Sequence, residues 1–257
     1  VNPRALAALA LAALAAALGA APPEQPPANP AFAPVRELLA GKKPLKWVFL
    51  GDSITMGSGT TWGHRDYTQL FAERVRMELG RKQDLVINSG VSGDNTARLL
   101  QGFDWRVRQF QPDVLFLMAG MNDCALGDPK RSVAPKDFRD NLEKLVALAR
   151  EIPGCQVVLQ TTCPILPGST PEREPQFDAY MDLVRDAARQ RACPLVDHAG
   201  YWREAAKANP ALHYAWMGHA FHPNHFGHRV FAELIFKELG IFSPADPKAP
   251  TCRLFHP

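Results

Sequence analysis

The sequence predicts an α/β fold: a three-layer α/β/α sandwich built on a five-stranded parallel sheet. Three observations lead there. Apolar runs of strand length alternate with longer amphipathic segments five times over, the pattern of strands joined by crossover helices. Glycines stand where helix C-termini are expected, at Gly80 and Gly240. The chain has 257 residues, 46% of them hydrophobic and 21% charged, enough for one sizeable core. That composition excludes a disulfide miniprotein, a collagen-like fibre and a wholly disordered chain. A net charge of +3 with no basic run gives no footing for nucleic-acid binding.

In chain order, residues 1–21 come first. Eleven of them are alanine and the only charge is Arg4. A basic residue, an apolar run from Ala5 to Leu18 and a small-residue end have the layout of a secretory signal peptide. The run is shorter than the roughly 20 residues a spanning helix needs, so no stable membrane insertion is expected once the leader is cleaved. Residues 22–34 form a proline-rich spacer, expected to join neither helix nor central strand. The folded domain is expected to span 35–242. Its strands are predicted at Trp47–Leu50, Leu85–Asn88, Val114–Met118, Gln156–Thr161 and Pro194–Asp197. The intervening helices are predicted at Tyr67–Leu79, Thr96–Phe110, Pro135–Glu151 and Pro171–Arg191, with a last one at Phe226–Leu239. Residues 243–257, again proline-rich, are expected to lie along the surface.

An exported chain matures where thiols oxidise, and five cysteines leave at least one unpaired. Cys155 and Cys193 each stand two residues before a strand-like run. Were those strands neighbours in register, the Cα atoms would fall near the ~5.5 Å of a disulfide. Two buried thiols are the alternative, and both readings stay open at this point.

In a parallel α/β sheet the chemistry lies beyond the carboxyl ends of the strands. The first strand runs into Gly51-Asp52-Ser53, the second into Gly90-Val91-Ser92-Gly93, the third into Gly120-Met121-Asn122-Asp123. His222-Pro223-Asn224 precedes the last helix. A hydroxyl, a glycine turn, a side-chain amide and an imidazole are the parts for acyl transfer: nucleophile, oxyanion donors and general base. Each part alone reads as a cap or turn residue; the ordered set does not.

With these four blocks the chain resembles the SGNH hydrolases, or GDSL esterases and lipases, from Trp47 to Phe242. The resemblance implies the flavodoxin-like SGNH hydrolase fold and a serine esterase. Ser53 would be the nucleophile and His222 the general base. The backbone N–H groups of Ser53 and Gly93 and the Asn122 amide would form the oxyanion hole. It implies short acyl groups on carbohydrate or lipid alcohols as substrates; the signal-peptide layout of residues 1–21 separately points to a secreted or periplasmic location. A G-x-S-x-G elbow is absent around Ser53, which separates the chain from the α/β-hydrolases.

One position departs from the family pattern. Where the family usually places an aspartate, three residues before the histidine, stands His219, a candidate third member of the relay that could accept one hydrogen bond from His222 but supplies no negative charge. A Ser–His dyad, a carboxylate from elsewhere such as Asp197, and a catalytically weak carbohydrate- or cell-surface-binding module are the three readings of that departure, the dyad ranked first. His219, His222, His225 and His228 recur every three residues, but on a helix such steps drift by about 60° each, so the first and last face apart. Pro223 breaks the helix besides. No metal or other cofactor is expected, and His225 and His228 are read as cap and surface residues of the last helix. Asp52 and Trp62 are substrate-binding candidates, although a buried structural role is the favoured reading for Trp62. Asp52, Asp94 and Asp123 are expected to hold loops by hydrogen bonds rather than to act as bases, and Cys163 to be a buried thiol.

Overall fold

The computed structural model describes residues 29–252; the leader expected at residues 1–21 lies outside them. Five parallel strands form one sheet: β1 (Lys46–Gly51), β2 (Leu85–Gly90), β3 (Val114–Met118), β4 (Gln156–Gln160) and β5 (Leu195–Val196). Their spatial order is β2-β1-β3-β4-β5, the doubly wound order with its switch point between β1 and β3. β1 and β3 are buried nearly throughout, as apolar runs covered on both faces must be. β2 is the half-exposed edge, with Leu85 54% accessible. Phe49 stacks on Phe116 across the β1–β3 pair, with ring centroids 4.6 Å apart.

The helices differ from the predicted set in instructive ways. A 3₁₀ turn at Pro30–Phe32 falls inside the expected spacer, and α1 (Ala33–Ala40) begins there. The prolines stand at the first helical positions, where no N–H is needed. Phe32 is fully buried, and Arg36 donates to Glu238 O at 2.7 Å, so folded structure begins before residue 35. After β1 come the short α2 (Ser53–Met56) and α3 (Tyr67–Glu73), the latter continued by a π-turn at Arg74–Glu78. The helix predicted over 96–110 is broken at Gly102 into α4 (Thr96–Gln101) and α5 (Phe103–Arg106). α6 (Pro135–Arg150) and α7 (Glu174–Gln190) match their predicted segments apart from the first turn of α7. Two unpredicted helices, α8 (His198–Ala208) and α9 (Ala211–Ala215), lead into a hairpin of β6 (Met217–His219) and β7 (His222–Pro223). The last helix is α10 (His225–Glu238). The tail is not merely superficial: Thr251 N and Oγ1 donate to the Glu78 carboxylate at 2.9 and 2.6 Å, and Cys252 is buried.

The five cysteines are free and buried. β4 pairs with β5 as Leu159 with Leu195. That register sets Cys193 beside Val157, two residues beyond Cys155, a displacement of about 6–7 Å along the strand. The Cys155–Cys193 bridge is therefore ruled out, and the alternative of two buried thiols holds. Among the described residues no helix is long and apolar enough to cross a membrane.

Candidate active site

Ser53 is the first residue of α2, directly past the carboxyl end of β1. Asp52 caps that helix through Oδ1, which accepts from Ile54 N at 2.9 Å. The first N–H of a helix has no intrahelical acceptor, so the Ser53 amide is available at the mouth of the site. The turn after β2 comes close to it. Gly90 has no room for a side chain: a Cβ there would lie 2.4 Å from Met56 N. Val91 N donates to Gly51 O at 3.1 Å, and Gly93 turns the chain at φ +82°. Among the described residues no acceptor takes the Gly93 N–H.

Asn122, in the loop after β3, is 4% exposed. Its Nδ2 donates to Asp94 O at 2.8 Å and lies 3.5 Å from Asp52 Oδ2. Asp123 anchors the same loop by accepting from Thr96 N at 2.8 Å and Thr96 Oγ1 at 2.6 Å. Asp94 pairs with the Arg106 guanidinium, which also donates to Gly51 O. Burial raises the Asp52 carboxyl to about 7 and that of Asp123 to about 6. These three aspartates hold loops together, as expected, and Asp52, at 1% exposure, is helix cap rather than substrate surface. This corrects its place among the substrate-binding candidates.

His222 opens β7 and reaches across the sheet edge. Its Nε2 lies 2.7 Å from Ser53 Oγ. Three contacts fix its hairpin: Thr60 Oγ1 to Pro223 O at 2.7 Å, Leu166 N to Ala220 O at 2.8 Å, and Asn224 Nδ2 to Ala215 O at 2.8 Å. Burial first, then the neighbouring His219 and Arg173, bring the His222 imidazole down to about 4. The ring is neutral at pH 7 and can accept the Ser53 proton at Nε2, which leaves its own hydrogen on Nδ1. Among the described residues nothing accepts a hydrogen bond from that Nδ1.

A hydroxyl against a neutral imidazole, beside two unspent backbone N–H groups and a side-chain amide, is equipped for acyl transfer. The GDSL-like lipase/acylhydrolase family model matches residues 49–230. The chain belongs to this family.

Among similar proteins, an uncharacterized lipoprotein of Bacillus subtilis is 29% identical over 178 residues, covering 62% of this chain and 72% of that one. An acetylxylan esterase of Geobacillus stearothermophilus is 25% identical over 211 residues, covering 76% and 94%. The solved structure of a catalytic mutant of an acetylxylan esterase from the same organism superposes with a TM-score of 0.66 at 22% identity. It covers 78% of this chain and 97% of that one. At that identity the likeness shows the shared α/β fold, that of the GDSL-like and SGNH hydrolases.

The remaining expectations divide. His219 faces His222 across the hairpin with ring centroids 5.7 Å apart, exposed and without a hydrogen bond between them. Asp197 is not a hidden third member. Arg185 grips it with two 2.9 Å bonds, while Thr161 Oγ1 and Gly200 N fill its remaining acceptor sites. The favoured reading of Trp62 as a buried tryptophan is overturned: it is 64% exposed, at φ +50°, with its ring 5.8 Å from that of His225. His228 is not a surface residue either. It is 1% exposed and stacks on Tyr67 at 5.9 Å. His225 is the first helical residue of α10, and the cap is Asn224, whose Oδ1 accepts from Phe226 N and Gly227 N. Among the described residues no group of three or more His, Cys, Asp or Glu is arranged to hold a metal ion. Sequence reasoning missed Thr60 and Arg173, whose roles exist only through contacts between distant segments.

Proposed function

We propose that the protein is a serine esterase that hydrolyses small acyl esters, acetyl esters of carbohydrate in particular, through an acyl-Ser53 intermediate. The 2.7 Å contact between Ser53 Oγ and His222 Nε2 carries this proposal. Oγ attacks the ester carbonyl carbon while its proton passes to Nε2, and the carbonyl π pair moves onto oxygen. The N–H groups of Ser53 and Gly93 donate to that oxyanion, joined by the Asn122 amide hydrogen that otherwise makes the long 3.5 Å contact with Asp52 Oδ2. On collapse the carbon–oxygen bond to the alcohol breaks, and Nε2 returns the proton to the departing oxygen. Water then repeats the sequence on the acyl-serine, and Oγ recovers its proton. Without an acidic partner the imidazolium is less stabilised than in a triad, so the reaction runs as a Ser53–His222 dyad. Likeness to an acetylxylan esterase favours acetylated sugars, and the exposed ring of Trp62 near the hairpin suits stacking on a sugar face. Likeness to a lipoprotein accords with export, residues 1–21 serving as a signal peptide for a secreted or periplasmic enzyme.

The test is hydrolysis of 4-nitrophenyl acetate together with labelling by a fluorophosphonate. Wild type is expected to be active and to carry the label on Ser53. Ser53→Ala is expected to lose both, with kcat falling by roughly 10⁴–10⁶. An unlabelled, inactive wild type would instead support the carbohydrate- or cell-surface-binding module.

A further inference from the structure

We propose that Arg173 is a positioning residue of this site, clamping the loop that carries Asn122 to the hairpin that carries His222. The inference rests on the serine-esterase reading above. Arg173 Nε donates to the carbonyl of Met121, next to Asn122, at 3.2 Å. Its Cζ lies 4.4 Å from the centroid of the Phe221 ring, next to His222. One planar guanidinium thus touches the chain neighbours of both residues, which stand a hundred positions apart. No helix or strand joins those two segments, so the clamp supplies what secondary structure does not.

The location is a costly one for an arginine. Arg173 is 4% exposed and occupies the cap position of α7, where the helix dipole disfavours positive charge. Its charged partner is Glu172, the neighbouring residue, whose side chain is 42% exposed. A buried guanidinium paired this weakly is hard to explain as a source of stability. Its geometry accounts for it: a hydrogen-bond donor at one edge and a flat cationic face over an aromatic ring, which lysine cannot reproduce.

The clamp also sets the charge around the base. Among the described residues, the titratable and charged groups that act on the His222 imidazole or feel it are His219 from the opposite strand, Arg173 ahead of α7 and His228 from α10. None is a carboxylate. Arg173 carries a fixed positive charge, so its removal lets His222 hold a proton at higher pH.

Arg173→Met, Arg173→Lys and Phe221→Leu test the proposal, each assayed with 4-nitrophenyl acetate from pH 3.5 to 8 and checked for folding by thermal unfolding. For Arg173→Met we expect kcat to fall ~10–100-fold, as for a reacting group displaced by about an ångström. KM should change far less, and the acid limb of kcat/KM should move to higher pH. Arg173→Lys should lose kcat while its acid limb stays near the wild-type position, because the charge remains and the plane does not. Phe221→Leu, which keeps the arginine, should do the same and serves if Arg173→Met does not fold. Wild-type kcat and an unmoved acid limb in folded Arg173→Met would overturn the clamp alone. Activity that survives Ser53→Ala would overturn the serine reading and the clamp with it.

Discussion

His222 sits 2.7 Å from Ser53 Oγ with no carboxylate bonded to it among the described residues, and the residue at the expected position, His219, faces it across a two-strand hairpin without a bond. The arrangement makes a base that is neutral over a wide pH range and weak within it. Acceptance of a proton leaves an imidazolium surrounded by neutral or positive groups, which raises the barrier for the step that needs it. His219→Asp reverses that balance. A carboxylate facing Nδ1 favours the charged ring, so the His222 pKa rises, the acid limb of kcat/KM moves to higher pH, and kcat at pH 8 is expected to rise by about tenfold, within the range of general-base effects. A stopped-rate assay across pH measures both. A fall in kcat would show that His219 serves some other role and that the dyad account is incomplete. Trp62 gives a different lesson at the same scale: a tryptophan at positive φ and 64% exposed adds little to the core.

Among the elements, α2 and the turn after β2 are set by one close approach. A methyl group at Gly90 would meet the backbone at Met56 N, which no rotamer change relieves. Gly90→Ala is therefore expected to push α2 away from β2, cost about 1–3 kcal/mol by overpacking, and lower kcat through displaced Ser53. Chemical denaturation and the acetate assay would detect the two effects; an unchanged midpoint with full activity would refute the argument. The sheet was legible in the sequence because its central strands are continuous buried runs, and the four site blocks because each closes a strand or opens a helix. Helix breaks were less so: Gly102 interrupts a periodic pattern that reads as one helix, while α8 buries only His198, Ala199 and Trp202 and α9 is five residues long. The proline-rich segment ahead of residue 35 misled for a specific reason, since prolines at first helical positions look the same in sequence as prolines in a spacer. Arg173 and the Cys193–Val157 register were illegible, because both are relations between segments that only the folded chain brings together.

For the molecule as a whole, buried titratable groups set how stability depends on pH. Burial holds His198 and His228 down to about 3 and His222 down to about 4. Below about 6.5 the unfolded chain binds protons at these sites and the native state does not, so stability falls as pH drops from 6.5 to about 3. Asp52 and Asp123, raised to about 7 and 6, act in the opposite sense. The native state keeps their protons after the unfolded chain has released them, so stability rises as pH falls from about 7 toward their ordinary value of 3.8. The two trends largely offset one another down to pH 4, below which only the histidines remain. Calorimetry is expected to show a shallow decline in Tm from pH 6.5 to 4 and a steep one below; a steep fall centred between pH 7 and 5 would contradict it. The five unbridged thiols bear on the same molecule after it has unfolded. The native state contains no disulfide, so folding is expected to need no oxidant. Each thiol hidden in that state is exposed when the chain unfolds, and air can then cross-link it. Heating under air should thus make denaturation a one-way journey, and a reductant should restore the return path.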